Sequence, residues 1–160
     1  MKNIVIISDT HNKNLPQKLQ KELTQCDIII HAGDITSVNY YDNLVSYNKT
    51  IHAVQGNMDR GKLEDILPVK KTFIIENKKF ALMHGWGSPK NLSKKVEREF
   101  QNYDWDILIF GHTHSPTEIK KNNKLILNPG SPTEKRFAKK NTYIKLKIKK
   151  NCINYQFIEI

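Results

Sequence analysis

With 160 residues, 38% of them hydrophobic, the chain has enough apolar material for a single domain over residues 1–160 with one substantial core. No apolar run approaches the roughly 20 residues of a membrane helix, and residues 1–9 turn polar too soon for a signal peptide, so the expectation is a cytoplasmic protein with no membrane role. A net charge of +10 favours phosphate-bearing partners, but the chain carries neither an interleaved aromatic–basic motif nor a recognition-helix signature.

Residues 4–8 form a continuous apolar run ending at Asp9, as expected of a strand buried on both faces. Leu15, Leu19 and Leu23 then recur every four residues beside Pro16, a favourable first-turn residue, so a helix follows. Residues 27–31 read as a second buried strand with Gly33-Asp34 at its exit. A short helix is expected over 40–47, and residues 51–54 make a third strand that delivers Gly56-Asn57. Residues 72–75 and 79–83 flank the polar turn Glu76-Asn77-Lys78 and read as a hairpin ending at His84. Ser88-Pro89 opens a helix carrying Leu92, Val96 and Phe100, and residues 106–110 form a further strand leading into Gly111-His112-Thr113-His114. Short strands near Leu125 and over 142–158 finish the chain, with Lys150-Asn151 as the last turn. In that region Lys145, Lys147 and Lys149 alternate with Leu146 and Ile148, which is what one solvated strand face requires. Early strand–helix alternation requires parallel pairing, and the later hairpins require antiparallel pairing. Two mixed β-sheets packed face to face with flanking helices, an α/β sandwich, satisfy both.

Five motifs sit at the carboxyl ends of these strands, where open α/β sheets bind ligands. They are Asp9-Thr10-His11, Gly33-Asp34, Gly56-Asn57-Met58-Asp59, His84-Gly85 and Gly111-His112-Thr113-His114. Taken singly, Asp9 and Asp34 serve equally well as helix caps, and Asn57 as a turn residue. Their conjunction at strand exits points instead to a metal site with ligands Asp9, His11, Asp34, Asn57, His84, His112 and His114. On an extended segment Asp9 and His11 share a side, and a short turn achieves the same convergence; His112 and His114 repeat the spacing. Asp34 can bridge two cations because a carboxylate has two oxygens. Cys26 and Cys152, the only cysteines, suggest neither a disulfide framework nor a thiolate site. Nitrogen and oxygen donors without thiolate suit manganese, iron, nickel, cobalt or zinc better than calcium. Two divalent ions, two carboxylates and a bridging hydroxide leave a centre of about +1, suited to clamping a phosphate and attacking phosphorus in line. Phosphoester hydrolysis is the matching reaction class.

The series D-x-H, G-D, G-N-x-D, H-G and G-H-T-H resembles the calcineurin-like metallophosphoesterase superfamily. The opening Ser8-Asp9-Thr10-His11 and the late Asn128-Pro129-Gly130-Ser131 are similar to those of its small bacterial and archaeal phosphodiesterase family, itself related to a retromer subunit of eukaryotes. The likeness runs from Ile4 to about Ser131. It implies one metal held by Asp9, His11, Asp34 and His114, and another held by Asp34, Asn57, His84 and His112, with Asp34 as the bridge. It also implies manganese as a common activating ion and the same two-sheet sandwich.

The G-N-x-D loop supplies the candidate catalytic residues Asn57 and Asp59. Much of the superfamily has histidine at its third position, placed to protonate the leaving oxygen; this chain has Met58, whose thioether cannot transfer a proton. That departure favours diesters and acidic leaving groups, and leaves Asp59, which in the resembling proteins orients the histidine, a bracing role. The leading expectation is a metal-dependent phosphodiesterase acting on a phosphodiester. A nucleotide or oligonucleotide substrate is compatible with the charge, and assembly as a homo-oligomer stays open. The alternative is a non-catalytic metal-binding scaffold of the same fold.

Overall fold

Strand β1 (Lys2–Ile7) lies at the centre of the first of two sheets in the computed structural model, which describes residues 1–136, 138–150 and 152–160. It pairs in parallel with β2 (Ile28–His31), which pairs in parallel with β3 (Thr50–Ala53). Helices α1 (Gln17–Gln25) and α2 (Val38–Val45) make the crossovers. A short α3 (Lys62–Ile66) then leads to β4 (Lys70–Ile75) and β5 (Lys78–Met83), an antiparallel hairpin that starts the second sheet. After α4 (Leu92–Glu99) come β6 (Ile107–Ile109), β7 (Pro116–Lys121) and β8 (Lys124–Pro129), with β5, β6 and β8 mutually parallel. The chain returns to the first sheet as β9 (Thr142–Lys149) and β10 (Cys152–Glu159), and β9 lies antiparallel to β1. Both sheets are five-stranded, in the orders β10-β9-β1-β2-β3 and β4-β5-β6-β8-β7. The expected sandwich of two mixed sheets is therefore the fold.

Strand alternation builds three apolar layers. Ile4 and Ile6 of β1 face the second sheet and meet Phe80, Leu82, Ile107, Ile109 and Leu127 in the space between the sheets. Val5 and Ile7 point the other way, onto Leu19, Leu23, Tyr40, Leu44 and Leu63 of the three helices on that face. On the far side of the second sheet, Ala81, Leu108 and Ile126 pack against Leu92, Val96, Phe100 and Trp105. Leu19, Leu23 and Val96 are wholly buried, and each such side chain contributes about 1.5–3 kcal/mol through apolar burial. The two four-residue leucine and valine spacings are thus helix faces turned onto a sheet.

Local details differ from expectation for identifiable reasons. Pro16 stands just before α1 with extended ψ and accepts a hydrogen bond from Gln20 N through its carbonyl, so it caps the helix instead of occupying its first turn. Helix α4 starts at Leu92, not at Ser88-Pro89, because Asn91 adopts a left-handed φ of 60° that interrupts any helix upstream. Neither α3 nor β7 was expected. The five residues of α3 bury only Leu63, and β7 is an edge strand with mostly exposed residues, so neither carries a readable apolar period. Of the expected last turn, Lys150 has a left-handed φ of 55°, while Asn151 lies outside the described residues.

Candidate metal centre

All the parallel strands, β1, β2, β3, β5, β6 and β8, end at one rim of the sandwich, and the five motifs follow from β1, β2, β3, β5 and β6. Asp9, His11, Asp34, His112 and His114 all have φ between 47° and 70°. Left-handed backbone costs an ordinary residue about 1–2 kcal/mol, and such strain clusters at functional sites. It is this sharp turning, not an extended segment, that brings Asp9 beside His11 and His112 beside His114. The loops also sit too close for side chains at two glycines. A Cβ on Gly56 would lie 2.3 Å from Asp34 N, and one on Gly111 would lie 2.0 Å from Ser8 Oγ.

The expected ligands converge. Asp9 Oδ1 lies 3.2 Å from His114 Nε2 and 3.8 Å from His84 Nε2. His11 Nε2 is 3.3 Å from His114 Nε2 and 3.7 Å from Asp34 Oδ2, which is itself 3.3 Å from His84 Nε2. Asn57 Oδ1 lies 3.1 Å from His84 Nε2 and 2.8 Å from His112 Nδ1. Asp9, His11 and His114 form one group whose donor atoms all lie within 4.8 Å of one another, and Asp9, Asp34 and His84 form a second. Asp9 thus belongs to both groups. Asp34 Oδ1 accepts the Met58 N–H at 2.8 Å, and its Oδ2 lies between His11 and His84.

Hydrogen bonds outside the cluster turn lone pairs into it. His84 Nδ1 donates to Ala32 O at 2.7 Å, leaving Nε2 as the inward atom. His112 Nε2 donates to Gly87 O at 2.7 Å, leaving Nδ1 facing Asn57. The other Asp9 oxygen, Oδ2, accepts from Ser8 Oγ at 2.6 Å and from His112 N at 3.0 Å. Asp9 Oδ1 is fully buried and has no hydrogen-bond partner. A buried anionic oxygen facing imidazole nitrogens fits a divalent cation, which satisfies every one of these lone pairs at once.

Without an ion, a proton on His84 takes the place a cation would fill. Burial disfavours the His84 imidazolium, yet the Asp9 charge and the hydrogen bond and charge of Asp34 push this imidazole up to about 9. Burial likewise works against ionised Asp9 and Asp34, but His84, together with His114 for Asp9, holds both carboxyls below the usual aspartate range. His31, fully buried beneath Thr10, behaves oppositely: desolvation lowers it to about 3. It accepts from Gly33 N through Nδ1 at 3.2 Å, so its Nε2 donates to Thr10 Oγ1 at 3.0 Å.

Asp59 is buried, and its carboxylate accepts from Asp34 N, Thr36 N and Gly56 N at 3.1, 2.6 and 2.7 Å. Both oxygens are engaged in joining two loops, the bracing arrangement. Met58 is half exposed beside it.

Residues 128–134 cover Asp9, His11 and His114, and only the Asn-Pro-Gly-Ser part of that segment carries a sequence signal. Asn128 Nδ2 donates to Gly111 O at 2.8 Å, Ser131 Oγ donates to Asp9 O at 2.7 Å, and Thr133 Oγ1 donates to Thr10 O at 3.0 Å. Glu134 follows, with Oε2 3.6 Å from His114 Nδ1 and 3.8 Å from His11 Nε2, and Oε1 2.7 Å from Lys13 Nζ. Partial burial opposes its ionisation, but Lys13 and the two imidazoles hold its carboxyl below the usual glutamate range. No sequence signal marks this lone glutamate.

Residues 1–151 match the calcineurin-like phosphoesterase superfamily domain. A probable metallophosphoesterase of Methanocaldococcus jannaschii is 37% identical over 138 residues, 83% of this chain and 69% of that protein. Among solved structures, an archaeal phosphodiesterase shares the fold at a TM-score of 0.76 and 24% identity, covering 99% of each chain. Vps29 from Entamoeba histolytica, solved with zinc, matches at a TM-score of 0.75 and 22% identity, covering 98% of each chain.

Proposed function

Because this chain belongs to the calcineurin-like phosphoesterase superfamily, we infer that it is a metal-dependent phosphodiesterase with two divalent ions, manganese foremost, at the rim. The observation that carries this is the buried Asp9 Oδ1, which makes no hydrogen bond and lies 3.2 and 3.8 Å from the Nε2 atoms of His114 and His84. Asp9, His11, Asp34 and His114 would hold one ion, and Asp34, Asn57, His84 and His112 the other. When bound, such ions polarise a phosphoryl oxygen and lower the pKa of coordinated water to about 7.

The chain's own part is positional. Asp34 presents Oδ2 to both sides, while its Oδ1 accepts the Met58 N–H. His84 is fixed by Ala32, His112 by Gly87, and the Asp59 carboxylate ties the Asn57 loop to the Asp34 loop. Met58 offers no proton to a departing oxygen. Diesters with acidic leaving groups are therefore the substrates this site serves best, and monoesters, with an extra negative charge, are served less well. The likeness to an archaeal phosphodiesterase supports this reading.

The test is hydrolysis of a series of aryl and alkyl phosphodiesters, with the matching monoesters, by chelator-stripped protein reloaded with manganese. Rates should follow leaving-group acidity steeply, and Met58→His should flatten that dependence, with gains below the full 10²–10⁴-fold of general acid catalysis. Parallel slopes in the two proteins would sink the role given to Met58. The similarity to zinc-bound Vps29 favours a second reading, a metal-binding scaffold. That reading requires bound metal and no turnover on any phosphodiester.

A further inference from the structure

The His84 loop does more than supply an imidazole. Directly after it, Gly85 and Gly87 have φ of 96° and 76°, and between them Trp86 is turned outward with 42% of its surface exposed. An exposed indole is unusual beside a buried polar cluster; aromatic side chains with one wet face are enriched where proteins bind ligands. Trp86 borders a cleft of about 350 Å³ whose wall includes Val69, Met83 and Arg60, and whose floor is Gly56, Asn57 and His84. That volume is at the small end of ligand pockets, about 300–1,000 Å³. Asn57 and His84 thus face the donor cluster with their polar atoms and the cleft with their remaining surface. Arg60 reaches the rim, its side chain 73% exposed, with Nη1 bonded to Asp59 O at 3.1 Å and 3.6 Å from Glu64 Oε1, a solvent-exposed pair that a ligand competes with at little cost. The one acid of the wall, Glu99, is paired with Lys70 at 3.3 Å, so the cleft presents an apolar surface with a guanidinium at its edge.

We propose that this cleft binds the base of a nucleotide unit in the phosphodiester substrate, stacked on Trp86, with Arg60 donating to an acceptor atom on the edge of the base. The proposal rests on the phosphodiesterase reading, because the cleft is continuous with the donor cluster through Asn57 and His84. Stacking on an exposed aromatic ring tolerates any base, and it needs only a flat ring of limited size. A single nucleoside fits the space, while a duplex does not enter it. The guanidinium adds a donor for a ring nitrogen or carbonyl oxygen of the base. The cleft therefore selects by flatness and by acceptors on the ring edge.

The chain has two tryptophans, and Trp105 is buried at 4% exposure, so a change of emission on adding a nucleotide reports mainly on Trp86. Manganese-loaded protein should be titrated with adenosine monophosphate and, separately, with ribose 5-phosphate, following emission and heat. The nucleotide should quench emission and bind about tenfold more tightly than the sugar phosphate. Trp86→Ala should remove that advantage while leaving ribose 5-phosphate binding unchanged, and Trp86→Phe should keep most of it. Arg60→Ala should weaken the nucleotide about threefold. On a nucleoside 5′-(4-nitrophenyl phosphate), whose leaving group is acidic, Trp86→Ala should lower kcat/KM about tenfold. Equal affinities for the two ligands in the wild type, or a nucleotide affinity indifferent to Trp86→Ala, would overturn the proposal while leaving the phosphodiesterase reading intact. Base-dependent quenching in a protein that hydrolyses no diester supports the cleft and removes the enzyme.

Discussion

Asp9, His11 and His114 lie under a cover of hydroxyl and carboxylate groups from residues 128–134, whereas Asn57 and His112 stand at the mouth of the cluster, beside the Trp86 cleft. On the covered side Asp9 and His114 are buried, and a carboxylate, Glu134, stands behind His114 at Nδ1 and beside His11 Nε2. On the open side Asn57 is exposed, and the group behind His112 is a backbone carbonyl, Gly87 O. A cover of charged and hydroxyl groups raises ligand basicity and fixes ring orientation, which serves retention of an ion. An open side with neutral support serves exchange and substrate entry. The two sides are joined by the Asp34 oxygen between His11 and His84.

The largest effect expected is from Asp34→Asn. It removes the charge common to both sides, so manganese stoichiometry should fall on both and kcat/KM should drop by more than about 100-fold, beyond what outer contacts deliver. Loss of one ion with the other retained would break the assignment of Asp34 as the join and shift it to Asp9. A smaller, one-sided effect separates the halves. Glu134→Gln keeps the shape and removes the charge behind His11 and His114, so one of two manganese-binding events in calorimetry should weaken about 10–100-fold. Equal weakening of both events would show that the cover serves the cluster as a whole.

The smallest effects are on stability, and they concern the histidines beneath each side. His31, held at about 3, is neutral in the folded protein and binds a proton more readily when unfolded. Metal-free protein should therefore lose up to about 1.4 kcal/mol per pH unit as pH falls from about 6.5 toward 3. His84, raised to about 9, is charged in the folded protein, so its contribution is complete below about 6.5 and is lost as pH rises through 9. Thermal melts of chelated protein should peak near pH 6.5. Saturating manganese should flatten the alkaline arm, because an imidazole coordinated through Nε2 carries no second proton to lose, and His31→Asn should flatten the acid arm. An alkaline arm unchanged by manganese would place His84 outside the ion's reach.

Much of this rim was legible because buried parallel strands are uninterrupted apolar runs, and a polar cluster at the end of each stands out. Asp9, Asp34, His84, His112 and His114 all follow such runs. What the pattern could not supply was direction. The left-handed turns at Asp9, His11 and Asp34 are set by close loop contacts, as at Gly56 and Gly111, and these arise between segments distant in sequence. The occupation of Asp34 Oδ1 by the Met58 amide was hidden for the same reason. Glu134 has neither a spacing partner nor an apolar context, and α3 and β7 bury too little to show a period.

The place of β1 has a consequence for synthesis. Ile4 of β1 pairs with Ile28 on one side and with Leu146 of β9 on the other. As the chain leaves the ribosome, β1, β2 and β3 can assemble early, and the residues from Asp9 to His114 are all present before β9 appears. Until β9 arrives, one edge of the strand that aims Asp9 and His11 has no neighbour, and the Ser131 and Thr133 hydroxyls reach Asp9 and Thr10 only from the segment just before it. A nascent chain thus holds every donor while lacking the frame that fixes them. Any ion held tightly at this rim would therefore have to wait for β9, which closes that edge of β1.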